Sequence, residues 1–170
     1  MAYALRIINR NRWGINSEDY PGKERRDVPA VTLLDLAVKN NELSVWVVDA
    51  QRENLQRLMG TLSANRTSLD VIDYVLFGLD IFEQLEIYTQ NTEGDTLDTY
   101  ANRWHLALLH LTATQVSDLA VRIWYSSTTE IKRYTSSQVT EFIIQSIRDN
   151  YFALDQLNPG LQETIKKKMK

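Results

Sequence analysis

The sequence has no cysteine among its 170 residues, and it has only two histidines and three prolines. Without cysteine, a disulfide scaffold, a thiolate zinc site and a cysteine nucleophile are all excluded. No apolar run reaches the roughly 20 residues that a membrane helix requires. The opening "MAYALRIINRNRW" lacks the cleavage site of a signal peptide. We therefore expect a soluble, cytoplasmic protein that does not associate with membranes.

Recognisable catalytic motifs are also absent. The phosphate-binding patterns GxGxxG and GxxxxGK[ST] and the nucleophile pattern GxSxG do not occur. His105 and His110 are five residues apart, which places them about 140° apart around a helix, whereas a zinc pair needs a spacing of three or four. The sequence therefore predicts no cofactor, no metal and no catalytic residue. It favours a non-enzymatic protein, although residues distant in sequence can converge in a fold.

Positive charge is missing from a long internal window, although the net charge of the chain is only −3. No Lys or Arg occurs from Thr67 to Asn102. If this window is helical, several of its acids lie on the same side of the helix. We therefore predict an acidic docking face for a basic partner, and it is formed by Asp70, Asp73, Asp80 and Glu83. A solvated helix face is the commoner arrangement of such residues. A magnesium site is a third interpretation, because the acids form two i, i+3 pairs of oxygen ligands.

Basic residues gather instead near both ends, in Arg6 to Arg26 and in the terminal "KKKMK". The segment "RNRWGINSEDYPGKERRD" shows neither helical nor strand periodicity. Irregular connections longer than about 12–15 residues are often binding loops, so this segment is the predicted binding surface, formed by Arg10, Arg12, Trp13, Tyr20, Lys23, Arg25 and Arg26. The interleaved acids favour a competing interpretation. In that view Trp13 and Tyr20 anchor a surface loop whose arginines pair with acids of the protein itself.

Apolar spacing predicts a small β element at the N-terminus. Tyr3–Asn9 and Leu43–Asp49 have the alternation and the β-branched composition of strands. Between them, Asp27 and Pro29 are suited to the start of a helix that runs to about Asn40. A two-stranded ribbon alone is marginal, so it must pack on helices or gain strands from a partner.

After Asp49 the spacing becomes helical. Helices are predicted in five stretches: Leu55–Leu62, 69–88, Leu97–Leu111, Val116–Trp124 and Val139–Tyr151. Ser68 is the predicted cap of the second stretch, and Ser137 is that of the fifth. Within the second stretch, "LEIYTQ" also fits a strand. The predicted fold class is mainly α (α+β), a helical bundle of about five to six helices with a small N-terminal two-stranded β element. We expect one domain, 1–170, made of a β-loop-α-β segment (1–49), the bundle (50–158) and a basic C-terminal tail helix (159–170).

Two functions from different classes fit these features. The first is a non-catalytic intracellular protein–protein interaction module: an adaptor, an inhibitor or immunity-type protein, or a subunit of a larger assembly. Its partner is another protein, and the opposite charges also favour self-association. The second is a nucleic-acid-associated protein that binds phosphate through the Arg-rich loop and the C-terminal lysines, which requires the two basic ends to form one patch. An enzyme working through Asp, Glu, Tyr and Arg comes third.

Overall fold

A six-stranded antiparallel sheet lies at the centre of the protein in the computed structural model, which describes residues 2–13, 28–126 and 129–169. Its strands are β1 (Tyr3–Ile8), β2 (Leu43–Val48), β3 (Ile72–Gly78), β4 (Tyr88–Asn91), β5 (His105–Leu109) and β6 (Glu130–Tyr134). They are arranged in the order β4-β5-β2-β1-β3-β6, and every neighbouring pair is antiparallel. The N-terminal strand therefore lies in the middle of the sheet.

Helices cover both faces of this sheet. They are α1 (Leu55–Ala64), α2 (Asp80–Gln84), α3 (Ala113–Tyr125), α4 (Ser136–Arg148) and α5 (Pro159–Lys168). Short 3₁₀ helices are formed by Arg10–Trp13, Ala30–Leu34, Ala101–Trp104 and Leu154–Gln156. None of the described helices is long and apolar enough to cross a membrane.

The central strands direct alternate side chains into two separate cores. Ala4, Val75 and Phe77 belong to one core, together with the apolar side of α3. Leu5 and Leu76 belong to the other, together with α1, α4 and α5. Because successive strand residues point to opposite faces, each central strand needs a cover on both sides. We call the two sides of the sheet the α3 face and the α1–α4–α5 face.

The predicted helical bundle with a two-stranded β element is wrong, because the protein is an α+β fold built on six strands. The predicted helix 69–88 is in fact β3, the short α2 and the start of β4. All seven residues of β3 are buried, and a strand buried on both faces cannot be distinguished from a helix by its apolar pattern. The predicted helix Leu97–Leu111 fails for the same reason, since it is a 3₁₀ turn followed by the buried β5.

Other parts of the prediction are confirmed. The strands β1 and β2 and the helices α1, α3, α4 and α5 lie where the periodicity placed them. The strand interpretation of "LEIYTQ" is confirmed for its last three residues, which belong to β4. The helix predicted to run from Pro29 to Asn40 is only the 3₁₀ turn Ala30–Leu34, and its predicted cap Asp27 lies outside the described residues. The cap of α4 is Thr135, in a capping box with Gln138, instead of Ser137.

Helices α1 and α4 pack closely because Gly60 has no side chain. A Cβ atom at this position would clash with Ser146 Oγ and would lie 2.7 Å from the carbonyl oxygen of Phe142. The oxygen belongs to the backbone, so a clash with it is relieved only if a helix moves. At Gly160 in α5 the nearest atom to such a Cβ, Oδ1 of Asn158, would be 3.7 Å away.

We predict that Gly60→Ala lowers the free energy of unfolding by about 1–3 kcal/mol, because it overfills the contact between α1 and α4. Gly160→Ala is the matched control and should change stability by less than about 1 kcal/mol, since alanine favours a helix and meets no obstacle there. Urea denaturation followed by circular dichroism measures both. Equal stability of the two variants would contradict the close packing at Gly60.

Candidate functional site

The described part of the Arg-rich segment is fixed to the protein through the carboxylate of Asp35. Its oxygens accept hydrogen bonds from the backbone N–H of Asn9 at 2.8 Å, from Nη1 of Arg12 at 2.8 Å and from Nε1 of Trp13 at 2.9 Å. Asp35 is buried, and a buried carboxylate is stable when donors surround it. Asp35 therefore holds the turn Arg10–Trp13 against the segment 28–36, which follows residues 14–27 in the chain.

Trp13 is an internal anchor. Its side chain is fully buried in the core on the α3 face, and its ring stacks on Trp124 of α3 with the centroids 6.2 Å apart. The hydroxyl of Thr32 donates to the carbonyl oxygen of Arg12 at 2.8 Å. Trp13 is therefore inaccessible to a partner, whereas the Arg12 side chain remains partly exposed beside Asp35.

Arg10 is connected to a second carboxylate, that of Asp73 in β3. The backbone N–H of Arg10 donates to Asp73 at 3.2 Å, and the guanidinium of Arg133 in β6 donates to it at 2.6 and 2.9 Å. Burial alone would raise the pKa of Asp73, but the Arg133 guanidinium and the Arg10 N–H outweigh burial and hold this pKa below its usual range. Asp73 thus stabilises the edge of the sheet and the start of the loop.

The predicted acidic face does not exist as one helical surface. Asp70 lies in the loop before β3, Asp73 within β3, and Asp80 and Glu83 in α2 after it. Asp70 and Asp80 are consequently at opposite ends of a strand. Among the described residues no three His, Asp or Glu side chains gather as ligands for a metal ion. Four residues of the predicted binding surface, Tyr20, Lys23, Arg25 and Arg26, lie outside the described residues.

A feature that the sequence prediction missed adjoins the Asp35 network. Large apolar side chains are exposed in 31–38, and their exposed fractions are 44% for Val31, 36% for Leu33, 57% for Leu34 and 37% for Val38. We call these four residues the apolar ledge. A 3₁₀ helix has three residues per turn, so Val31 and Leu34 share one side of the turn Ala30–Leu34.

The apolar ledge is directed outward because its neighbours are fixed inward. Thr32, Asp35 and Leu36 are buried, and each contacts the α3 side of the protein or the Arg10–Trp13 turn. The signal in the sequence is compositional: seven of the nine residues in "AVTLLDLAV" are apolar, more than one face of a short turn can bury.

A second buried carboxylate, Asp98, fixes the long connection between β4 and β5. The Arg57 guanidinium donates to it at 2.5 and 2.8 Å, and the backbone N–H groups of Tyr100 and Ala101 donate at 3.0 and 3.1 Å. Burial raises the pKa of Asp98, but the Arg57 guanidinium and the backbone donors lower it by more, so that this pKa lies below its usual range. The Arg57 guanidinium also lies 3.7 Å from the ring centre of Tyr151.

The described part of the Arg-rich segment and the lysine-rich helix α5 lie against opposite faces of the sheet. Trp13 packs in the core of the α3 face. Leu161 and Ile165 of the lysine-rich α5 pack in the core of the α1–α4–α5 face. The described part of the Arg-rich segment is therefore separated from α5 by the sheet.

Both histidines pack against aromatic side chains. His105 in β5 contacts the Trp46 ring edge to face at 5.1 Å, and its Nδ1 lies 2.7 Å from the hydroxyl of Thr92. Burial lowers the pKa of His105, which favours a neutral ring. His110 stacks on Tyr88 at 6.2 Å.

Comparison of the chain with known protein families, with curated proteins and with solved structures found no match. The apolar ledge and the Asp35 network are therefore interpreted from their own chemistry.

We predict that Asp35→Asn lowers the free energy of unfolding by about 2–3 kcal/mol. The amide has one acceptor where three donors converge, and burying a donor without a partner is unfavourable by about 1–3 kcal/mol. Asp70→Asn is the control, because Asp70 is exposed and its carboxylate bonds only the nearby Ser68 hydroxyl. Chemical denaturation of both variants tests this, and an equal effect of the two would contradict the role of Asp35.

The depressed pKa of Asp98 predicts how stability depends on pH. A carboxyl with a pKa below its ordinary value of 3.8 stabilises the fold above that value, and this stabilisation is lost as the pH falls through the lower, folded-state pKa. We expect the free energy of unfolding to decrease from about pH 5 to pH 2, and to decrease less steeply in Asp98→Asn. Parallel pH profiles of the wild type and Asp98→Asn would contradict this assignment.

Proposed function

We propose that this chain is a non-catalytic intracellular interaction module, an adaptor, an inhibitor or immunity-type protein or an assembly subunit, that binds a partner protein through the apolar ledge. The supporting observation is the concentration of four exposed large apolar side chains within eight consecutive residues. Contiguous exposed apolar patches commonly mark interaction surfaces. Because Thr32 and Asp35 fix this segment, binding would lose little conformational entropy there.

The charges around the apolar ledge indicate the charge that a complementary partner surface would carry. Arg12 is partly exposed beside it, and Lys39 is exposed directly after Val38. Asp35, the acid that directly follows the turn Ala30–Leu34, is buried and already paired with Arg12. A complementary surface would be apolar at its centre with acidic residues at its rim.

The nucleic-acid alternative receives no support from the packing of the two basic regions. It needs the Arg-rich segment and the C-terminal lysines on one surface, whereas Trp13 and α5 pack on opposite faces of the sheet. The predicted roles of Arg10 and Arg12 in partner binding stay predictions.

Val31→Asp tests the proposed function, because it introduces a charge into the apolar ledge. Val71→Asp is its matched control, since Val71 is 42% exposed and directly precedes β3, outside the segment 31–38 that forms the ledge. Affinity capture from the native cytosol, followed by mass spectrometry, compares the proteins that each variant retains. We expect a partner held by the wild type and by Val71→Asp to be retained at least about tenfold less by Val31→Asp.

A partner retained equally by all three proteins would overturn the assignment of the apolar ledge. Both substitutions replace exposed side chains, so their unfolding free energies should stay within about 0.5 kcal/mol of the wild type. That measurement separates loss of binding from loss of folding.

A further inference from the structure

The two edges of the sheet differ in how they are protected. β6 carries three charged residues, and these form ion pairs: Glu130 with Arg52 and Lys132, and Arg133 with Asp73. Charged side chains on an edge strand discourage pairing with another chain. The sequence of β4, "YTQN", contains neither a charged residue nor a proline, so this edge lacks those protections.

The register of β4 shows which of its backbone groups face away from the sheet. The N–H of Thr92 donates to the carbonyl oxygen of His105 at 3.3 Å, one position beyond the pair Asn91–Leu106. Bonded and non-bonded pairs alternate in an antiparallel ladder. Asn91 and Thr89 therefore occupy non-bonded positions, and their N–H and C=O groups point away from β5 toward the open edge.

An apolar groove lies beside this edge on the α3 face. Its volume is about 680 Å³, and its apolar lining is formed by Val47, Leu79, Phe82, Ile87 and Leu106. Tyr88, Thr89 and Asn91 of β4 and the exposed Glu83 of α2 also line it. Any strand added to β4 would thus run along the open side of an apolar groove.

We propose that two copies of this chain pair through their β4 strands, antiparallel, about a twofold axis at Gln90. In this register Thr89 of one copy faces Asn91 of the other, and each such pair exchanges two hydrogen bonds between the outward groups. Thr89 and Asn91 are two residues apart, on either side of Gln90, so the outward groups of one β4 strand match those of the second copy. A twofold interface requires this self-complementarity.

The register favours a second copy as the occupant, because the outward N–H and C=O groups of Thr89 and Asn91 satisfy each other across the twofold axis. No like charges oppose each other when two β4 strands pair, because β4 is neutral. The two apolar grooves meet at the joint, where each copy closes the open side of the other's groove. Stable interfaces bury about 800 Å² of surface per partner, and a four-residue ladder buries only a small part of that area. The remaining buried area must come from the contact between the two grooves. We expect a weak dimer that forms as the protein concentration rises.

The absence of cysteine makes the register directly testable. Gln90→Cys gives a chain with one thiol, and Gln90 is exposed. At the twofold axis the two Cα atoms of a non-bonded pair are about 4.5 Å apart, within the roughly 4.4–6.8 Å range of disulfides. Mild oxidation should therefore produce a covalent dimer of twice the 19.7 kDa chain mass on a non-reducing gel.

Lys132→Cys is the control, because Lys132 is central in the other edge strand and is exposed. We expect Gln90→Cys to cross-link at least about tenfold faster than Lys132→Cys, since the β4 interface holds its thiols together. Equal rates, or no dimer from Gln90→Cys, would overturn the proposal.

Light scattering supplies a second measurement on the chain without added thiols. The wild-type mass should rise toward that of a dimer with concentration, whereas Thr89→Pro should remain monomeric. Proline removes the outward N–H of Thr89 and leaves the bonds between β4 and β5 intact. A wild type that stays monomeric would also overturn the proposal. Val31→Asp should dimerise like the wild type, which separates this inference from the function proposed for the apolar ledge.

Discussion

The central strands β1 and β3 must be covered on both faces, and the rest of the structure depends on this constraint. Every residue of β3 is buried, so neither side of the sheet faces water at this strand. Three helices, α1, α4 and α5, cover one side. On the other side α3 covers the centre, and the remaining cover comes from α2, Trp13 and the segment around Leu36. The unequal cover of the two faces explains where the exposed apolar surfaces occur.

The apolar ledge and the apolar groove are both consequences of the thinner cover on the α3 face. A short 3₁₀ turn takes the place of a helix at 30–34, and it buries Thr32 while leaving Val31 and Leu34 outside. Near β4 the groove lined by Val47 and Leu106 remains open. Exposed apolar surface on a folded protein is unfavourable in water unless a partner covers it. The two proposals assign a different partner to each of these surfaces.

Two buried carboxylates fix irregular connections between the strands of the sheet. Asp35 fixes the Arg10–Trp13 turn on the α3 face, and Asp98 fixes the connection between β4 and β5 beside α1. Each carboxylate accepts hydrogen bonds from an arginine and from at least one backbone N–H group. This combination satisfies a buried charge without a metal or a second titrating group.

The helices α1, α3 and α4 could be predicted from the sequence, because each has one buried and one exposed side and therefore shows an apolar stripe. The strands β1 and β2 could be predicted from their β-branched and aromatic composition. Apolar spacing failed for β3 and β5, because a strand buried on both faces has no alternation to detect.

At the site, the sequence suggested that Trp13 anchors the loop, since an aromatic residue stands among charges. It could not identify Asp35, 22 residues further along the chain, as the acceptor of the Trp13 indole. The apolar ledge was missed because its residues were predicted to belong to a helix that runs to about Asn40, whereas they form only a short 3₁₀ turn and the residues after it.

Residues 30–38 are fixed in place and present an apolar ledge to solvent. Methyl NMR of the isolated protein with a soluble paramagnetic agent measures this exposure. We expect strong broadening of the Val31 and Leu34 methyl signals and little broadening of those of Leu36, which is only 1% exposed. Equal protection of all three would show that the chain itself covers the ledge, and equal broadening of all three would show that the segment is not fixed. Either result would rule out the apolar ledge.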